Sequence, residues 1–225
     1  MRGKWLTIGA RAIAAGLATI VAAALTYTAD GYFDAQRDAR LLAPRADRLI
    51  AEGRGAAGLG HGRIEQFLLV DDPNFGRHSG IDFSTSGAGL TTLTQGLGKS
   101  LGFTRFRPGV NKIRLIGYAM GLERRLTKAQ IIALYLDEVG MGRGPNGWMT
   151  GFYEASRSIY GRPPHLLTEG EFLSLVAVPI APRMFDLQRG NDALRSRVAR
   201  IQRLVGGQCQ PTGLRDVWLE GCAAR

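Results

Sequence analysis

A chain of 225 residues with 45% hydrophobic and 21% charged side chains has room for one compact domain with an appendage, which excludes wholesale disorder and large multidomain machinery. Its 29 Lys and Arg against 19 Asp and Glu leave a formal charge of +10, yet only Lys4, Lys99, Lys112 and Lys128 among the cations are lysines. No nucleic-acid-binding module organises that charge, so DNA and RNA are not expected partners and the placement of the cations matters more than their sum.

Residues Ala12 to Ala29 form an uncharged run. At ~1.5 Å per helical residue the run approaches the ~30 Å apolar core of a bilayer, and Leu6–Ala10 extend it. Arg2, Lys4 and Arg11 precede the run, whereas Asp30 and Asp34 follow it. By the positive-inside rule, residues 1–30 read as a cytoplasmic stub and single-pass anchor in the cytoplasmic membrane, with everything after them on the periplasmic side. A cleaved secretory peptide, with Ala22 and Ala24 forming an A-x-A site, is the rival reading.

Residues 31–63 read as a polar helix interrupted by Pro44, then a Gly-rich linker or flexible loop over 52–63. The compact domain is expected over 64–205. From Gly109 onward, Val110, Ile113, Ile116 and Met120 fall on one helical stripe and Leu115, Ala119, Leu122 and Leu126 on its neighbour, predicting a mostly buried helix. Thr127 with Gln130 forms a capping box opening a helix from Lys128 to about Leu136, and Thr168 with Glu171 opens one ending near Val178, before Pro179. Gly151–Tyr160 and Asn191–Val205 complete an all-α pattern, with Gly/Pro-rich connections at 140–147 and 161–164 and no alternating strand signal. In the 206–225 tail, Cys209 and Cys222 are the only cysteines, and a periplasmic location permits a disulfide stabilising by ~3 kcal/mol.

The density of chemistry is highest after the apolar run Phe67–Val70, where Asp71, Asp72, His78 and Asp82 lie within a dozen residues. A carboxylate at the edge of an apolar segment is partly desolvated, which raises its pKa toward that of a general base. Paired Asp before Pro73 is also an ordinary helix end. Phe83–Leu122 holds no acidic residue but carries Lys99, Arg105, Arg107, Lys112 and Arg114 beside Phe103 and Phe106, a combination suited to a lipid-linked phosphate at a membrane interface or to a solvated basic face. Thr91, Thr92, Thr94, Gln95 and Lys99 add hydroxyls, an amide and an amine at close spacing.

These residues resemble the peptidoglycan glycosyltransferases, family 51, which occur as monofunctional biosynthetic transglycosylases and in class A penicillin-binding proteins. The motif E-D-x-x-F-x-x-H-x-G-x-D is similar to Asp71-Asp72-Pro-Asn-Phe75-Gly-Arg-His78-Ser-Gly80-Ile-Asp82, and G-G-S-T-I-T-Q-Q-L-x-K-N to Gly89 through Ser100. R-K-x-x-E, L-E and K-x-x-I-L-x-x-Y-L-N look like Asn111–Leu115, Leu122-Glu123 and Lys128–Asp137. The resemblance covers about Ile64 to Val205. It implies a lysozyme-like lobe with a small membrane-proximal jaw that polymerises lipid II into glycan strands, releasing undecaprenyl pyrophosphate. It also implies the cytoplasmic membrane, nascent glycan and other cell-wall synthesis proteins as partners. No certain cofactor and no metal-ligating residue follow from it, with Mg or Mn at the pyrophosphate left open.

Carried over, the resemblance makes Asp71 the base on the acceptor 4-hydroxyl, with Glu123 a neighbouring carboxylate able to compensate. Asp72, His78, Asp82, Thr92, Gln95, Lys99, Arg107 and Lys112 become substrate-binding residues, Lys99 and Lys112 at the pyrophosphate. Several positions depart from the family pattern: Asp71 is one methylene shorter than Glu, Leu115 replaces the second Glu, Asn111 an Arg, Leu90 a Gly and Asp137 an Asn, and the stretch from Asp82 to Gly89 is short. A catalytically inactive relative that binds lipid II or glycan is therefore the alternative to a polymerising enzyme.

Overall fold

The computed structural model describes residues 2–87 and 89–223; Met1, the first residue of the expected stub, lies outside them. Helix α1 runs unbroken from Arg2 to Ala51, 50 residues that join the apolar run to the domain. Its first part exposes Ile13, Leu17, Ile20, Val21 and Leu25, and its most apolar 18-residue window has a mean hydropathy of 1.5 with none of it buried, long and apolar enough to cross a membrane. Further along, Ala35, Ala39, Leu42, Ala46 and Leu49 recur at alternating steps of four and three and are buried. One helix thus changes from apolar all round to apolar on a single stripe. Pro44 does not interrupt it, contrary to expectation. Pro44 sits on the exposed face, as does Arg40 one turn before it, and the buried stripe on either side keeps the helix in place.

Residues 52–63 are not a flexible linker either. They fold into a 3-10 turn over Ala56–Leu59, bury Leu59 fully, and donate Arg54 to Asp137; Tyr153 Oη donates to the Gly55 carbonyl at 2.6 Å. Beyond them lie α2 (Arg63–Asp71), α3 (Leu93–Leu101), α4 (Asn111–Arg125) and α5 (Lys128–Glu138). The Thr127 capping box is formed, and Ile131 through Leu136 are all buried, making α5 the central core helix. A two-stranded antiparallel hairpin, β1 (Gly140–Gly144) and β2 (Gly147–Thr150), occupies what reads as a Gly-rich connection. Its only buried apolar side chains are Met141 and Met149, too few for a period-two signal. Then come α6 (Phe152–Tyr160), α7 (Glu169–Ala177), opened by the Thr168 capping box, and α8 (Asp192–Val205), capped by Asn191. The all-α class holds, with this hairpin as its one β element among the described residues.

The α1–α4 contact sets the arrangement. A Cβ added to Gly117 would lie 1.8 Å from the Thr28 carbonyl oxygen, and one on Gly121 2.4 Å from that of Tyr32, so the two backbones touch where only glycine fits. Arg114 pairs with Asp30 and Asp34, and Tyr118 Oη donates to Asp38 at 2.7 Å. Packing α1 there turns Gly117, Tyr118 and Gly121 inward together with Leu115, Ala119 and Leu122. Of the stripe Val110, Ile113, Ile116 and Met120, expected to be buried, Val110 (68% exposed) and Met120 face out instead, and Ile113 and Ile116 are half-buried.

The tail carries the expected Cys209–Cys222 disulfide. Asp216 accepts from the backbone N–H groups of Thr212, Glu220 and Gly221 within that loop.

Gly117→Ala should lower the thermal midpoint by several degrees, reflecting about 1–3 kcal/mol of overpacking. Gly16→Ala, where nothing lies within 4 Å, should leave it unchanged. Circular dichroism melts of the full chain in detergent check the pair, and equal midpoints would mean that α1 and α4 are not in contact.

Candidate active site

Helix α2 ends at Asp71, and the adjacent carboxylates of Asp71 and Asp72 enter different surroundings. Asp72 is fully buried. Its oxygens accept from His78 Nε2 at 2.9 and 3.0 Å, and Oδ2 also accepts from Leu93 N, the first residue of α3, at 2.8 Å. Because Gly80 N donates to His78 Nδ1 at 3.1 Å, the ring proton sits on Nε2 and points at Asp72. Thr92 caps α3, accepting from Gln95 N at 3.2 Å while its hydroxyl donates to the Gly80 carbonyl at 2.8 Å. Asp82 accepts from Asn74, Ser84 and Thr85. Burial alone would raise its pKa, but these hydrogen bonds hold it well below the usual carboxylate range. Asp72, His78, Thr92 and Asp82 together pin the 72–95 segment.

Glu123, expected beside Asp71, belongs to the outer part of this network. It accepts from Thr94 Oγ1 at 2.6 Å and from Lys128 Nζ at 2.8 Å, and its Oε1 lies 4.0 Å from His78 Nδ1. It does not line the space Asp71 faces. A helix-face reading could place it near the motif but could not show that Lys128, the first residue of the next helix, pairs with it.

Asp71 faces a cavity of about 320 Å³ shared with Thr92, Lys99, Tyr135, Arg197 and Val217. Its Oδ2 is buried and has no hydrogen-bond partner among the described residues. Burial pushes its carboxyl up to about 7; the Arg197 charge works downward and Asp72 upward. Lys99, on α3, is pulled down by burial and stands 5.6 Å from the Phe106 ring centre. Lys112 donates to the Leu90 carbonyl, Thr91 Oγ1 and Gln95 Oε1 at 2.9–3.0 Å, so Gln95 and Lys112 brace the cavity from outside. Burial, then the Lys99 charge, lowers the Lys112 pKa. Arg107 lies exposed on the connection before α4 and is not brought to the cavity.

Arg197 carries no local motif. It is buried, its Nε and Nη1 lack partners, and burial lowers its guanidinium pKa to about 10 against the pull of Asp71. The usable signal was its place on the inward stripe of α8, between Leu194 and Ile201, where an arginine is costly unless it faces a charge. Leu115 is fully buried, and a Cβ added to Gly98 of α3 would meet it at 2.9 Å. Asp137 pairs with Arg45 and Arg54, tying α5 to α1 and the turn after it. One cavity wall comes from the tail: Val217 lines it, and Gly87 N and Gly89 N each donate at 2.9 Å to the carbonyls of Gly213 and Leu214.

The donor set does not fit a divalent cation. Asp72 is committed to His78 and Leu93, Leu115 is apolar, and Asp71 faces Lys99 and Arg197, two cations. No cluster of three His, Cys, Asp or Glu able to hold a metal occurs among the described residues.

The sequence model of the family described as Transglycosylase matches residues 59–205. The chain is 28% identical over 148 residues to penicillin-binding protein 4 of Bacillus subtilis, covering 60% of this chain and 23% of that protein. It is 35% identical over 128 residues to penicillin-binding protein 1B of Buchnera aphidicola, covering 51% and 17%, and 31% identical over 157 residues to penicillin-binding protein 1A of Aquifex aeolicus, covering 63% and 21%. The chain thus spans under a quarter of the length of these relatives.

Because the Asp71 pKa is raised from 3.8 to about 7 by folding, the folded state holds a proton that the unfolded chain releases, and stability falls as pH rises between those values. Asp71→Asn should remove that slope, raising the thermal midpoint relative to wild type at pH 8 while leaving it near wild type at pH 4. Midpoints that track each other across the range would place Asp71 in solvent.

Proposed function

Since the chain belongs to the transglycosylase family, we propose that it is a peptidoglycan glycosyltransferase that joins lipid II disaccharide units into glycan strands at the outer face of the cytoplasmic membrane. The observation that carries the reading is the unpartnered Asp71 oxygen in a cavity otherwise furnished with two cations. A carboxyl whose pKa is near 7 is matched to general-base work at neutral pH. Asp71 takes the proton of the acceptor 4-hydroxyl, that oxygen bonds to the donor anomeric carbon with inversion, and the bond to the pyrophosphate oxygen breaks. The leaving group departs with the bonding pair, its charge met by Lys99, and Arg197 balances Asp71 from behind.

In this reading α1 crosses the membrane with its first residues in the cytoplasm, supported by the cations before Ala12, the acids after Ala29 and the disulfide. Lipid II and nascent glycan are its ligands, and other cell-wall synthesis proteins its partners. A second reading, a lipid II-binding relative without activity, is favoured by Leu115, whose burial leaves Asp71 as the cavity's lone carboxylate.

Glycan formation from purified lipid II by the full chain in detergent tests both. Wild type should polymerise, Asp71→Asn should lose ~10²-fold or more, and Asp71→Glu should retain or raise the rate. Wild type that binds lipid II without polymerising it establishes the second reading.

A further inference from the structure

A second recess, of about 670 Å³, lies between the hairpin and the 182–189 connection. Its base is closed by direct backbone contact: Gly142 has φ +79, and a Cβ there would meet the Pro182 carbonyl oxygen at 2.5 Å. The connection is braced internally, with Asp186 Oδ1 accepting from Gln188 N and Arg189 N at 3.0 Å and Asn191 Nδ2 donating to the Met184 carbonyl at 2.8 Å. The recess is therefore built before any ligand arrives.

Its lining combines cations with an aromatic surface. Arg143, Arg183 and Arg189 are exposed and form no ion pair with any described residue, while Asp186, the one acid in the lining, is held by its own turn. Trp148 is 50% exposed and Met184 52%. An indole face stacks on the apolar face of a sugar ring, and guanidiniums bind carboxylates by paired donors. The recess and the Asp71 cavity draw on the same two chain segments: Ile180 and Val217 line the cavity, Pro182 and Phe185 line the recess, and Trp218 meets the Phe185 ring at 6.3 Å.

We propose that this recess is a second saccharide subsite that binds an acidic glycan, a chain bearing carboxylates, beyond the reacting centre. The proposal rests on the polymerase reading, which puts a saccharide chain at the neighbouring cavity; the carboxylates are inferred from the three unpaired arginines. Trp148 stacks on a sugar ring, and the three arginines meet the carboxylates. A membrane surface is the poorer fit, because α1 packs on α4 and α5 rather than on the hairpin. Nucleic acid is poorer too, since the cations ring a recess instead of following a stripe.

The test measures binding of soluble, uncrosslinked peptidoglycan strands to the full chain in detergent by calorimetry, with no lipid II present. Wild type should bind. Arg143→Ala, Arg183→Ala, Arg189→Ala combined should weaken binding at least tenfold, Trp148→Ala severalfold, and Arg124→Ala, an exposed cation of α4 away from both spaces, not at all. Neutral chitin oligosaccharides should bind at least tenfold more weakly than the acidic strands. Thermal midpoints establish that each variant folds, and the single exposed change Arg183→Glu serves if the triple variant does not. The proposal is overturned if wild type fails to bind, if the arginine variants bind as wild type does, or if DNA or anionic vesicles displace the strands more readily than the strands displace them. Strand binding without polymerisation would leave this subsite standing while removing the polymerase reading, and polymerisation without strand binding would do the reverse.

Discussion

A fully buried carboxylate, Asp72, holds the half of the molecule around the Asp71 cavity together. Burying an ionised group without partners is prohibitively costly, so its surroundings must supply donors: the His78 ring and the start of α3. Each donor is fixed in turn. The Gly80 N–H orients the imidazole, Thr92 couples Gly80 to the α3 cap, and Lys128 binds the His78 carbonyl from α5. Satisfying one charge thus sets the relative positions of α2, α3 and α5, and Asp71, next in the chain, is turned toward the cavity as a result. Removing either Asp72 or His78 strands the other in the interior, so the pair is worth more to the structure than the modest value of one hydrogen bond.

That division of labour was only half legible in the sequence. The capping boxes at Thr127 and Thr168, the final helix and the disulfide were readable because each is a local rule satisfied within a few residues. Adjacent Asp71 and Asp72 were readable as a dense cluster of titratable groups, but which one faces the cavity depends on where α3 begins in space. Arg197 reaches the site from a helix more than a hundred residues away, and no spacing rule links it to Asp71. Glu123 shows the converse: its closeness to the motif in sequence does not show that it pairs with Lys128 and stays outside the cavity that Asp71 lines. Pro44 and the Gly-rich hairpin defeated composition because tertiary packing overrode local preference at both places.

The site also draws on more chain than the family match covers. Residues 59–205 contain the Asp71 cluster, α3 and Arg197, whereas Val217 and the carbonyls that hold Gly87 and Gly89 lie beyond it. Gly87 and Gly89, at the end of the short stretch from Asp82, are held by the disulfide-closed tail. Cysteine oxidation and the shape of the cavity are therefore physically connected.

The unbroken α1 has a mechanical consequence. An anchor joined to its domain by a flexible linker lets the domain wander and tumble above the bilayer, but a helix locked by glycine contacts to α4 transmits rotation and height like a shaft. One helical residue turns the chain by ~100° and lifts it by ~1.5 Å. With the apolar part of α1 held in a membrane, adding or deleting a single residue ahead of Tyr27, before the contacts with α4 begin, would therefore swing the whole cavity around the helix axis, so its azimuth is encoded in the residue count of one helix.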